Sequence, residues 1–171
     1  DGASLMYTIV IPGGGTKAHP AYTIASMSAE ALRRIGITLE IVDLTNTAGI
    51  WNDLTESKYD MWSAARSRGA DPDLYQIYHS DSIPGGNGTE YNYYFLVDER
   101  LDSLIESAGR SDNNTERKQM YKECFDIISD WSVELPVFSA KNISIFNADK
   151  INVLSISSDI TSFWDWSKEI E

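Results

Sequence analysis

Two β-rich runs joined by a helix-spaced segment open the chain, and their order dictates what it can become. Leu5–Ile11 (LMYTIVI) is mostly apolar and rich in β-formers, the pattern of a buried strand. Residues 18–35 place apolar or small side chains at Ala21, Ile24, Ala25, Ser28, Ala31, Leu32 and Ile35, which is helical spacing. Gly36 follows where a left-handed C-terminal cap belongs. Residues 38–44 (TLEIVDL) then read as a second strand. Strand, helix and strand in that order need a crossover, so the two strands should lie parallel with a right-handed connection. A short helix follows over 45–57, capped by Asn46 or Thr47, with Ile50, Trp51 and Leu54 on one face. Residues 59–65 form a third strand. The sum is β-α-β-α-β, an open α/β sheet flanked by helices.

The second half is helical. After a loop over 80–94 that holds Pro84-Gly85-Gly86-Asn87-Gly88 and a run of aromatics, Asp98 is placed to cap a helix. Its inner face is Leu101, Leu104, Ile105 and Ala108, and Gly109 ends it. The longest helix follows a polar turn over 111–114. Its buried stripe is Met120, Cys124, Ile127, Ile128 and Trp131, which makes Cys124 a core thiol. Residues 135–138 (LPVF), 142–146 and 151–156 are β-like, with Pro136 favouring an edge. No repeat, low-complexity run or dividing linker appears, so 1–171 reads as one domain.

Charge and composition remove several functions. Fourteen basic and 26 acidic residues leave a net charge of −12, which disfavours nucleic acid and anionic membrane as partners. One cysteine allows neither an internal disulfide nor a cysteine-based zinc site, and two histidines are too few for a histidine-rich metal centre. No apolar run is long enough to span a membrane, and no signal peptide is visible at Asp1. Three N-x-S/T sequons, at Asn87, Asn113 and Asn142, would matter only in a eukaryotic secreted protein. No nucleophile elbow occurs, and neither His19 nor His79 has a local Ser or Cys partner. No catalytic residue and no cofactor is therefore assigned. Gly13-Gly14-Gly15-Thr16-Lys17 sits between strand and helix, the context of a phosphate loop. Its glycine spacing fits neither the Walker nor the dinucleotide pattern, so a flexible turn is the better reading.

Residues 59–79 (YDMWSAARSRGADPDLYQIYH) concentrate the features expected of a site: a strand, its exit, and a helix start. Arg66 and Arg68 point to one side of an extended chain and could grip a carboxylate or phosphate together, or pair with the protein's own carboxylates. Asp71 reads as an N-cap with Pro72 at the first helical position and Asp73 favourable to the helix dipole. Tyr75, Tyr78, Tyr91, Tyr93 and Tyr94 flank the region, some as core and others as groove lining.

An ordered set of segments resembles the C-terminal part of the extracellular solute-binding proteins of peptide ABC transporters, family 5. The pieces are EALRRIGITLEIV, then YDMWSAARSRGADPDLYQIYHSD, then RLDSLIESAGRSDNNTERKQMYKECFDIISDWSVELPVF, with Asp102, Arg117 and Tyr121 at characteristic positions. The resemblance implies one lobe of a type II periplasmic-binding-protein fold, part of a larger two-lobed protein whose first lobe and lipid anchor lie elsewhere. It implies an oligopeptide held as an added strand, a monomeric receptor, a membrane permease as partner, and a place outside the bacterial cell membrane or in the periplasm. The ligand-binding residues it points to are Trp62, Ala64, Ala65, Arg66, Ser67, Arg68, Asp71 and Tyr75. Family members often carry a Trp near Arg66 and an Asp near Ser67 or Arg68. Those departures favour an acidic peptide or another anionic ligand. A single lobe offers half a cleft, so weak or no peptide binding is expected of it alone. Two other functions fit: an α/β enzyme domain using the triple-glycine loop as an anion site, and the same binding fold serving a sugar or metal chelate.

Overall fold

The computed structural model describes residues 5–65, 72–139, 143, 145–147 and 149–152. The chain divides into two compact units, Asp1–Glu134 and Leu135–Glu171. In the first, the elements run β1 (Leu5–Ile11), α1 (Pro20–Arg33), β2 (Ile37–Asp43), α2 (Ile50–Thr55), β3 (Met61–Trp62), α3 (Tyr75–Tyr78), α4 (Glu99–Arg110) and α5 (Asn114–Trp131). Short 3-10 turns, Thr47–Gly49 and Ser80–Ser82, precede α2 and follow α3. In the second unit, none of the described residues is in a strand. The run expected as a strand over 135–138 is in no strand, because none of the described strands pairs with it. The β-like run over 151–156 lies mostly outside the described residues.

The sheet has the order β2-β1-β3, all parallel. β1 and β2 pair along their whole length, Leu5 opposite Ile37 through Ile11 opposite Asp43. β3 is much shorter than the sequence suggests: only Met61 and Trp62 pair, opposite Ile9 and Val10. Ser63 extends the pairing by one bond, its N–H donating 3.0 Å to the Val10 carbonyl. Ahead of β3 a side chain substitutes for ladder. Asp60 Oδ2 accepts from the Thr8 N–H (2.7 Å) and hydroxyl (2.9 Å), and the Asp60 N–H donates back to Thr8 Oγ1.

α1 packs on β1 and β2 through Ala21 and Ala25, small residues that let helix and sheet approach. His19 is its N-cap, with Nδ1 accepting from the Ala21 N–H at 3.2 Å and Pro20 following, which gives this histidine a structural task. Gly36 takes φ +84° just after the helix, as expected.

Two apolar cores form. One lies against the sheet: Val10, Ile50 and Leu54, with Val42, Leu44, Tyr59, Trp62 and Tyr93 packed around them. The other lies between helices: Leu74, Tyr78, Leu96, Leu101, Leu104, Ile105, Cys124 and Ile128. The inner face of α4 is as the sequence predicts, and full burial of a residue such as Leu101 contributes about 1.5–3 kcal/mol. Two details differ. Gly109 stands inside α4, which runs on to Arg110, because nothing forces a left-handed turn there. Trp131 is half exposed; its indole reaches along the surface and donates 2.9 Å to Asp98 Oδ2.

Candidate functional site

In a parallel sheet every strand ends at the same edge, and loops leaving that edge are free to carry a site. Here the edge is formed by the ends of β1, β2 and β3. The glycine loop leaves β1. Its N–H groups are turned inwards on the protein's own carboxylate: Asp43 Oδ1 accepts from Gly15 N–H (3.1 Å) and Asp43 Oδ2 from Lys17 N–H (2.9 Å). Gly14 and Gly15 adopt φ +72°, and Lys17 φ +59°, to make that turn. The loop has the shape of an anion receptor, and Asp43 fills it. That disfavours its use for phosphate.

The first unit also holds an unbroken series of aromatic ring contacts. Trp51, half exposed on α2, stacks on Tyr93 at 5.5 Å between centroids. Tyr93 meets Trp62 edge to face at 6.4 Å, and Tyr91 leans on Tyr93 at 6.4 Å. Trp62 stacks on Tyr94 at 5.3 Å, and Tyr94 lies parallel to Tyr78 at 5.6 Å. Trp62 belongs to the sheet core and Tyr94 packs on the helix core, so this aromatic wall is the seam between the two. Such contacts add about 0.5–1.5 kcal/mol per pair beyond area burial. The far end is fixed by one carboxylate oxygen: Glu134 Oε2 accepts from Tyr78 (2.6 Å) and from Tyr94 (2.8 Å).

The loop that carries Tyr91, Tyr93 and Tyr94 is held from inside by Asn92, which is fully buried. Its Nδ2 donates to the carbonyls of His79 (3.0 Å) and Leu96 (2.9 Å), and its own N–H donates to the Ser82 carbonyl. Phe95 closes the turn at φ +53°, a conformation costly for a bulky residue and sustained by these bonds. Burial, then Tyr91 and Glu90, raise the Tyr93 phenol.

His79, expected in a polar loop, is buried. Its Nδ1 accepts from the Asp81 N–H (3.1 Å), Tyr75 stacks on its ring at 4.2 Å, and Nε2 lies 3.5 Å from Glu106 Oε1. The aromatic neighbour and the 3-10 turn supply the burial that the polar sequence concealed. Asp102 accepts from the Ser80 N–H (2.9 Å) and hydroxyl, tying α4 to this turn. The Tyr75 hydroxyl donates to Asp81 Oδ2 at 3.4 Å; partial burial and then the Asp81 carboxylate raise its phenol.

Of the residues expected to touch ligand, Trp62 is in the wall, and Ala64 and Ala65 are exposed where the chain leaves β3. They are not in a strand themselves, because β3 ends at Trp62. Tyr75 is half buried against His79 and shares no ring contact with the wall among those described. Arg66, Ser67, Arg68 and Asp71 lie outside the described residues. The N-cap position of α3 is Leu74; Pro72 and Asp73 precede the helix, and Asp73 Oδ1 accepts from the Tyr75 N–H at 3.0 Å. The capping role expected of Asp71 lies outside the described residues, and the described side-chain bond at the start of α3 is that of Asp73. Asp43, Asn92 and Glu134 were not foreseen, and the only hint in the sequence was Asp43 at a strand end opposite glycines.

Among the described residues no cluster of three or more His, Cys, Asp or Glu side chains is placed to hold a metal ion. None of the described helices is long and apolar enough to cross a membrane.

No family model matches the chain, and no curated protein matches it. Solved structures do, and they are solute-binding proteins of the family that the sequence resembles. The oligopeptide-binding protein AppA from Bacillus subtilis, in complex with a nonapeptide, aligns with a TM-score of 0.64 at 20% identity. The alignment covers 78% of this chain and 25% of that one. CtaP from Listeria monocytogenes, an ABC transporter substrate-binding protein, aligns with a TM-score of 0.62 at 25% identity, over 76% of this chain and 25% of its own. NikZ from Campylobacter jejuni, in complex with Ni(L-His), aligns at 0.59 and 21% identity, over 72% and 24%. The chain thus spans about a quarter of the length of the structures it matches. Its α/β fold is that of a periplasmic-binding-protein lobe.

Proposed function

We propose that this chain is a ligand-contacting lobe of the substrate-binding protein of an ABC importer, and that its ligand is an extended peptide. The observation that carries this is the position of β3: it stands at the edge of the described sheet, and its exit at Ala64 and Ala65 is exposed beside the aromatic wall. A peptide laid along that exit would gain main-chain hydrogen bonds as an added strand. Trp62 and the tyrosines would offer apolar bodies with polar tips that accept many side chains. The Ala64–Arg68 stretch, with Trp62, leads the proposed contact set, and Asp71 and Tyr75 complete the proposed set. The protein acts without catalysis, as a monomeric receptor that delivers ligand to a membrane permease from the periplasm or the outer face of the membrane. AppA, bound to a nonapeptide, supports the peptide reading.

A second reading keeps the fold and changes the solute. NikZ holds a nickel–histidine chelate on the same fold, and an aromatic wall suits a compact planar ligand as well as a peptide. The two readings separate in an NMR titration of the chain. Millimolar oligopeptide should shift the amides of residues 63–65 and the Trp62 indole, and nickel–histidine should leave them unmoved. The reverse pattern would replace the peptide by a chelate. If the lone lobe shifts with neither, the same titration of the two-lobed protein decides, and no shift there would overturn the assignment of this edge as a ligand site.

A further inference from the structure

We infer that Glu134 is the positioning residue of the aromatic wall, and that it couples the wall to the point where the chain leaves the first unit. Three observations converge. Glu134 Oε2 receives both the Tyr78 and the Tyr94 hydroxyls, at 2.6 and 2.8 Å. Those two rings lie parallel at 5.6 Å, and Tyr94 stacks directly on Trp62 at 5.3 Å. Glu134 is also the last residue of the first unit, two residues beyond Ser132, whose φ of +55° ends α5.

The chemistry follows from the geometry. Two phenols donating to one carboxylate oxygen make two charge-assisted hydrogen bonds, roughly twice as strong as neutral ones. They fix the tilt of both rings, which otherwise slide easily over each other because stacking is a broad interaction. Glu134 does not touch Trp62 in any described contact. Among the described contacts, its path to Trp62 runs through Tyr94. Movement of the backbone at 133–135 therefore moves the carboxylate, the carboxylate moves the phenols, and Trp62 follows.

The wall is the surface assigned above to the ligand, so the inference rests on that reading for its meaning but not for its test. The test uses no ligand. In the full chain, the indole N–H resonance of Trp62, assigned with Trp62→Phe, is compared among wild type, Glu134→Ala and Glu134→Gln. Glu134→Ala should displace the Trp62 resonance, and Glu134→Gln, which keeps an acceptor oxygen, should return it most of the way. Tyr94→Phe should reproduce the Glu134→Ala displacement, and adding Glu134→Ala to it should move Trp62 little further. The resonances of α4, far along the helix core, report that each variant is folded. A Trp62 resonance that stays in place in folded Glu134→Ala would overturn the proposal. So would equal displacement by Ala and Gln, which would indicate a local packing role only. A Trp62 coupling found intact, together with no ligand response in the titration above, would instead count against the ligand reading.

Discussion

A side chain on Gly13 would occupy the space that the Asp43 carboxylate holds. Asp43 ends β2 and Gly13 lies just beyond the end of β1, and the turn between β1 and α1 is built around that one carboxylate, with the Gly15 and Lys17 N–H groups closing on it. Gly13→Ala should therefore destabilise by about 1–3 kcal/mol, the usual cost of overpacking. Asp43→Ala should cost less, about 0.5–1.5 kcal/mol, because water can reach the two exposed N–H groups it leaves. Asp43→Asn should cost less than Asp43→Ala, since one oxygen remains. Urea unfolding followed by far-UV circular dichroism gives all three values. A neutral Gly13→Ala would show that the loop relaxes away from Asp43.

Asn92 is the second place where one polar side chain organises a loop. Asn92→Ala should strip the buried Leu96 carbonyl of its Asn92 donor, at about 1–3 kcal/mol, and leave the His79 carbonyl with the Ser82 N–H. Asn92→Asp should be worse near neutral pH, because a carboxylate would face two carbonyls. Melting temperatures of the two variants test the order, and an Asn92→Asp more stable than Asn92→Ala would contradict it.

Asp98 caps α4 and also receives the Trp131 indole. The Leu101 N–H first, and then that indole, hold its carboxyl below the usual carboxylate range. A depressed folded-state pKa means that the stability Asp98 adds is present above the ordinary carboxylate range and lost as pH falls through the depressed value. Asp98→Ala should cost about 1–2 kcal/mol at neutral pH and flatten the acid limb of the stability curve. Trp131 is the reporter nearest to it, so its fluorescence should change with the substitution. An unchanged acid limb would mean that the cap is not ionised in the folded protein.

Cys124 shows no exposed surface, and burial pushes its thiol up to about 11. The folded form therefore stays protonated where an unfolded thiol has begun to ionise. Stability owed to this group is full below the ordinary thiol value and falls as pH rises towards about 11. Ellman's reagent at pH 8 should find the thiol silent in native protein and reactive in urea. Prompt reaction in native buffer would show that α4 and α5 separate easily.

The opening β-α-β unit and the inner face of α4 were legible because local rules suffice for them: strand propensity, helical spacing, and a glycine at a helix end. Trp131 shows where such rules stop. Its place on the helical stripe argued for burial, but an indole N–H prefers a partner, and Asp98 lies within reach only at the surface. β3 was overextended to 59–65 because propensity does not report how much neighbouring strand there is to pair with; β1 offers it Ile9 and Val10. The wall was half legible. The tyrosines were visible as a cluster, yet the residues that hold them, Asn92 and Glu134, lie outside any motif and act through contacts across the fold. Residues 66–71, which the sequence made central, lie outside the described structure.

The clasp between Thr8 and Asp60 spans 52 positions of chain, whereas β1 and β2 meet across one helix. Closing the longer loop carries the larger entropy cost, and only two ladder pairs reward it. The order of assembly follows: β1, α1 and β2 can form early, and β3 docks late. What docks last generally opens first. The strand that mounts Trp62 is thus the one whose amides should exchange fastest in the sheet, and opening there would be stopped by whatever binds the wall. Binding at the wall, as proposed above, would register as order at one edge, with the other two strands left undisturbed.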